Sequence, residues 1–245
     1  MDSSVSLKDQ IWFLCMCHHV PNVLYLVADT FADDTAILTV HEDPTLAAHS
    51  FRMHLNKIQS WLKTWRIKAN EEKSVQVTFT LNKMTCRPVK LNNDYLPQAD
   101  EVKYLGIHLG RRLTWRKHIT TKRMQLDRKL RNLHWISGQK SRLSLENKLP
   151  VYKVILKPAW TNEIQLWGTA SNSNVEILER FQSKALRIIT DAPRYVPNTI
   201  IKRDLQIPMV KQEARKYSAN CRKRLDTQPN NLVNTLFRAI RNSQT

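Results

Sequence analysis

Up to about residue 110 the apolar positions of this chain come in short runs, and beyond it they recur at helical spacing. Residues 23–27 and 35–40 read as two buried strands, with Asp33 and Asp34 at the tip of the hairpin between them. Asp43 followed by Pro44 is a helix start, an acidic N-cap with proline at the first position. Leu46, Phe51, Leu55, Ile58, Leu62 and Trp65 then mark one apolar face over about five turns. Val75, Val77, Phe79 and Leu81 alternate with polar residues as in a strand, a hairpin follows over residues 89–96, and residues 102–109 form another strand. The spacing then predicts helices over 116–136 (Ile119, Leu126, Leu130 and Leu133 inward), 145–167 (kinked at Pro158), 175–189, 209–225 and 232–240. Pro193, Pro197 and Pro208 break up the loops between them. The fold class is α+β followed by all-α: antiparallel strands with a long helix on one face over 20–110, then helices. Residues 1–19 show no clear period and are expected to be a leader of unclear structure.

Composition sharpens the division. The four glycines, Gly106, Gly110, Gly138 and Gly168, all fall where one pattern gives way to another. The net charge is +18, yet residues 1–110 carry −1 and residues 111–245 carry +19. A basic half of this kind points to a polyanionic partner, most simply nucleic acid. Between Arg111 and Arg142 the cations include Arg111, Arg112, Arg116, Lys117, Lys122, Arg123 and Lys129, against a single acid, Asp127. Trp115 and Trp135 in the same segment are expected in the core rather than on a ligand. The four cysteines suggest no disulfide framework, and Cys15-Met16-Cys17-His18-His19 lacks both the spacing and the second cluster of a zinc site. The apolar run at Ile11–Cys17 is too short to span a bilayer and has no basic leader, so neither a transmembrane nor a secretion signal is read. The expected location is intracellular, nuclear or cytoplasmic, with no membrane partner.

The chemistry concentrates in Phe31-Ala32-Asp33-Asp34-Thr35-Ala36-Ile37-Leu38. Two adjacent carboxylates at a hairpin tip repel, and each raises the other's pKa unless a cation intervenes. Hard oxygen ligands of this kind suit Mg²⁺ or Mn²⁺, with phosphates and water completing the shell. An Asp-Asp pair by itself is an ordinary feature of exposed turns. Its setting is not: an apolar strand before, an aromatic residue just ahead, an apolar strand after.

That octapeptide closely resembles motif C of the reverse transcriptases of jockey-like, non-LTR (LINE-type) retrotransposons. The resemblance continues in order. Residues 61–73 with 75–80 resemble motif D, residues 102–109 resemble motif E, the primer grip, and residues 114–119 resemble the entry to the thumb. Residues 182–187 and 191–196 resemble the region beyond it, and the whole match runs from about 20 to 225. The resemblance implies a partial polymerase palm over 20–110, a basic thumb-like helical region over 111–170, and a C-terminal helical region over 171–245.

It also implies residue roles. Asp33 would be the main metal ligand with Asp34 beside it, in two-metal nucleotidyl transfer with Mg²⁺ or Mn²⁺. Phe31 would lie near the primer end. Lys73 takes the place of a lysine that protonates departing pyrophosphate, against the plain reading of an exposed loop lysine. Tyr104, Leu105 and Gly106 would form the grip turn, against an ordinary buried strand. The partners implied are an RNA template, a DNA primer and deoxynucleoside triphosphates; nothing fixes the oligomeric state.

The 245 residues do not include the fingers, motif B or the motif A aspartate that bridges both metals in this family. Upstream of Asp33 stand only Asp2, Asp9 and Asp29. The chain is therefore expected to be a C-terminal fragment of such an enzyme, inactive alone. The alternative is a non-catalytic nucleic-acid-binding remnant of a retrotransposon.

Overall fold

The computed structural model describes residues 10–16, 25–31, 34–41, 43–67, 69–70, 72–81, 86–92, 94–138 and 141–227, with backbone alone at 10–16, 25–31, 34, 40 and 226. It divides into two compact units, Met1–Leu113 and Thr114–Thr245. The change of period near residue 110 is the boundary between them. The helix expected over 232–240 lies outside the described residues.

The first unit holds a five-stranded sheet in the order β2-β3-β1-β4-β7. Its strands are β1 (Gln10–Met16), β2 (Tyr25–Phe31), β3 (Asp34–Val40), β4 (Val75–Phe79) and β7 (Gln98–Ala99). β2 and β3 form the expected antiparallel hairpin. The rest departs from the antiparallel palm that was expected: β1 is parallel to both β3 and β4, and β4 is parallel to β7, so the sheet is mixed. The cause is α1 (Pro44–Thr64), which carries the chain back so that β4 starts from the same end of the sheet as β3. Residues 10–16, read as part of a leader, are the middle strand. An unbroken apolar run without alternation is the pattern of an interior parallel strand, which is why neither a period of 2 nor one of 3.6 marked it.

At the start of α1 the Asp43 carboxylate accepts from the Thr45 N–H and hydroxyl, both at 2.7 Å, and these bonds hold its carboxyl below the usual range. Ala47, Phe51 and Leu55 bury the inner face with Ile58 and Leu62 half-buried, but Leu46 and Trp65, expected on that face, are exposed. Gln76 and Thr78, between the apolar positions of β4, are also buried. Gln76 satisfies its amide by donating to the Arg87 carbonyl at 3.1 Å and accepting the Val89 N–H at 3.0 Å. The hairpin at 89–96 appears as β5 (Lys90–Leu91) and β6 (Asp94–Tyr95). Residues 102–109 are not one strand but two, β8 (Glu101–Tyr104) and β9 (Ile107–Gly110), turning at Leu105 and Gly106 with φ of 45° and 87°. Positive φ at both central residues matches the twist of a two-residue hairpin, and only one of them is glycine.

The second unit is helical. α2 (Arg116–Asn132) and α3 (His134–Ser137) replace the single helix expected over 116–136. α4 (Leu145–Val151) runs into a π-helical turn (Tyr152–Leu156), α5 (Lys157–Thr161) and, after a break at Glu163 with φ 59°, α6 (Ile164–Trp167). Pro158 cannot donate and its ring crowds the carbonyl four residues back, so the ladder widens just before it. α7 (Asn172–Thr190) and α9 (Val210–Asp226) match their expectations. α8 (Asn198–Asp204) lies where only loop was read. One core joins Ile119, Leu126 and Leu130 of α2 with Tyr152, Trp160, Trp167, Leu178, Phe181 and Ala214. Residues on both sides of position 170 thus share a single interior. Among the described residues no helix is long and apolar enough to cross a membrane.

Candidate functional site

The β2–β3 register fixes the first part of the site. Tyr25 lies opposite Val40 and Phe31 opposite Asp34, so two residues, 32 and 33, separate the last paired positions. Seven apolar-rich residues on each side and a two-residue connection bring Asp34 to the first position of β3. Asp33 lies outside the described residues, as do the side chains of Phe31 and Asp34. Asp29, the other nearby acid, sits within β2 opposite Ala36, two positions before the end of the strand. On the neighbouring strand Gln10 is level with Asp34. Among the described residues no group of three His, Cys, Asp or Glu side chains is placed to hold a metal ion.

Lys73 lies in the turn between α1 and β4, exposed, its N–H donating to the Asn70 side chain at 3.1 Å. Because β4 runs parallel to β1, which is parallel to β3, that turn is at the same end of the sheet as Asp34. Tyr104 is half-buried at the end of β8, and Leu105 and Gly106 are exposed at the turn. Arg111 is half-buried, its guanidinium 4.0 Å from the Asp100 carboxylate, and its carbonyl accepts the Thr80 N–H at 3.0 Å. It is tied into the first unit, and Arg112 beside it is exposed.

The basic helix sorts its cations. Arg116, Lys117 and Lys129 are exposed, as are Arg128 and Arg131. Lys122 turns inward instead. Its ammonium donates to the Asn162 carbonyl at 3.2 Å and lies 3.6 Å from the Glu163 carboxylate. Burial pulls its pKa below the ordinary value, opposed by that carboxylate. The expectation that Lys122 meets nucleic acid therefore needs correcting. Its spacing already held the signal, since it lies three residues after Ile119 and four before Leu126, both fully buried. Arg123 is half committed: its Nε donates to Asp127 at 2.7 Å and its guanidinium carbon lies 5.1 Å from the Phe181 ring centroid. Asp127 also accepts from Lys184 at 3.1 Å. Trp115 packs partly against the core as expected, but Trp135 does not, at 76% exposed.

The β2–β3 hairpin with Asp34 at the start of β3, the exposed Lys73 of the α1–β4 turn and the short β8–β9 hairpin all lie in the segment on which the sequence comparisons bear. Residues 11–109 match the family described as reverse transcriptase (RNA-dependent DNA polymerase). The match begins within β1, so the strand read as leader is inside the family's domain. The chain is 37% identical over 210 residues to a probable RNA-directed DNA polymerase from transposon X-element of Drosophila melanogaster, covering 86% of this chain and 23% of that protein. It is 33% identical over 214 residues to the RNA-directed DNA polymerase from mobile element jockey of Drosophila funebris, covering 87% and 23%. It is 31% identical over 210 residues to a probable RNA-directed DNA polymerase from transposon BS of Drosophila melanogaster, covering 85% and 23%. The resemblance to jockey-type elements read from the motifs is borne out, and the chain spans about a quarter of the length of these relatives. No solved structure matches it.

Proposed function

We propose that the chain is the motif C-to-thumb part of an RNA-directed DNA polymerase of a non-LTR mobile element, acting on an RNA template, a DNA primer and deoxynucleoside triphosphates. The observation that supports this reading is the Phe31–Asp34 register, which leaves two residues between the last paired positions and puts Asp34 at the start of β3. The donor set fits a hard divalent cation: two carboxylates, side by side in sequence, with no softer ligand between them. Asp33 is the principal ligand and Asp34 the supporting one. Bound there, Mg²⁺ or Mn²⁺ supplies the charge that activates a 3′-hydroxyl and steadies departing pyrophosphate.

This chain's own residues do the rest. Lys73 gives a proton to the leaving group, a role its exposure at the Asp34 end of the sheet supports. Phe31 steadies the primer end, and Tyr104, Leu105 and Gly106 form the grip turn. Arg112, Arg116, Lys117 and Lys129 meet phosphates, while Arg111 and Arg123 are engaged by contacts within the chain. A pair from one hairpin would hold only part of a two-metal centre, which would need a further carboxylate. We assign that group to another segment, and expect the 245-residue polypeptide alone to bind template–primer without extending it.

The test is equilibrium binding of an RNA–DNA template–primer with and without Mn²⁺. The proposal expects Asp33→Asn/Asp34→Asn to bind as well as the parent, or slightly better, without metal, and to lose the Mn²⁺-dependent gain. A variant that keeps the gain would remove the hairpin from the metal site. The other reading, a binding remnant without catalysis, draws on the basic second half and predicts no Mn²⁺-dependent gain in the parent either.

A further inference from the structure

Within the first unit, a groove of about 540 Å³ is lined by residues of α1 and by Lys90 and Asn92 of the β5–β6 hairpin. Among the described residues that line it are four cations, Arg52, Lys63, Arg66 and Lys90, and no Asp or Glu. Along α1, Arg52, Asn56, Gln59 and Lys63 follow one another at steps of four, three and four. That spacing sets them on a single flank of the helix, beside the face that Phe51 and Leu55 bury. All four cations are exposed. A cluster of like charges is unfavourable unless a ligand neutralises it.

Two details add to the pattern. Arg66 occupies the left-handed position that ends α1, at φ 54°, with the Ile67 N–H donating to the Leu62 carbonyl at 2.9 Å. Glycine fills such a position with least strain, so an arginine here keeps a guanidinium at the groove's end at some cost. Lys90 lies 4.4 Å from the centroid of the Tyr95 ring, and that ring is 63% exposed.

We propose that this groove is a binding site for single-stranded RNA, separate from the motif C hairpin. From Arg52 to Lys63 the flank extends for about 16 Å of helix axis, too long for one phosphate and suited to several in a row. The amides of Asn56 and Gln59 offer both donors and acceptors, which suits ribose 2′-hydroxyls and so favours RNA over DNA. Tyr95, held beside Lys90, is a stacking surface for an unpaired base. The inference does not rest on the polymerase reading, because none of these residues belongs to the metal or grip sets.

The experiment is photocross-linking and salt-dependent binding of a 4-thiouridine-substituted 20-nucleotide RNA to the 245-residue chain, with peptide mapping. Cross-links are expected in the peptide holding Lys90 and Tyr95. Arg52→Gln/Lys63→Gln/Lys90→Gln is expected to remove them and to lower the slope of log Kd against log salt by about 2, at roughly 0.7 per phosphate contact on a single strand. The three side chains are exposed, so the melting temperature should hold, and Arg52→Lys, which keeps the charge, should keep the cross-links. Asp33→Asn/Asp34→Asn should leave the cross-links intact, which separates failure here from failure of the metal assignment. No cross-link at 90–95, or a slope unchanged in the triple variant, overturns the proposal and leaves the groove to an acidic protein. Equal cross-linking to DNA of the same sequence overturns the assignment to RNA.

Discussion

Lys122 donates its ammonium to the Asn162 carbonyl at 3.2 Å, across the core of the second unit. The contact joins α2 to the break between α5 and α6, and it takes one cation of the basic helix out of reach of any ligand. Lys122→Met should therefore destabilise the second unit by about 2 kcal/mol, by leaving the Asn162 carbonyl and the Glu163 carboxylate short of a partner. It should leave the salt dependence of nucleic-acid binding unchanged. Lys129→Met should do the reverse, with an unchanged melting temperature and a shallower salt slope. Thermal unfolding and binding measured on both variants check this.

Gly168 follows α6 where a Cβ would come within 2.4 Å of the Ile164 carbonyl oxygen and 3.0 Å of the Ala214 Cβ on α9. The first clash is with backbone, which cannot swing aside. Gly168→Ala should cost about 1–3 kcal/mol through overpacking, read by chemical denaturation. Gly110→Ala, with open space at its Cβ, should cost far less.

Burial pushes the Tyr152 hydroxyl up to about 12 from an ordinary 10.0, and the hydrogen bond from Gln182 at 3.1 Å offsets only part of that. The folded state holds the proton that the unfolded chain releases. The stability this gives is complete below pH 10 and is lost as pH rises from 10 towards 12. The melting temperature of the second unit should fall over that window, and Tyr152→Phe should flatten this part of the fall. An equal fall in both proteins would place the titration elsewhere.

The helices were the most legible part of the sequence. Asp43, Pro44 and the α1 stripe gave that helix to within a residue, because caps and a 3.6 period are local signals. Parallel pairing is not local, so β1 was missed: Gln10–Met16 has its partners 24 positions further on in β3. The turn at Leu105 and Gly106, implied by the resemblance, leaves no mark in the hydrophobic pattern, because Leu105 takes a positive φ that its type seldom adopts. At the candidate site the acidic pair was legible from its setting, and the register now puts Asp34 at the start of β3. The direction of each basic side chain was not read, although Lys122 shows that the helical period already held it.

Primer extension on an RNA template with Mg²⁺ or Mn²⁺ tests the central claim most directly, using the 245-residue chain beside Asp33→Asn/Asp34→Asn. The account predicts that both proteins bind template–primer and that neither makes product, because the hairpin supplies half of a two-metal centre. Metal-dependent product that disappears in the double variant would contradict the claim that a further carboxylate from another segment is needed. Product that persists in the double variant, or failure of both folded proteins to bind template–primer, would contradict the polymerase assignment of this hairpin and its basic helices.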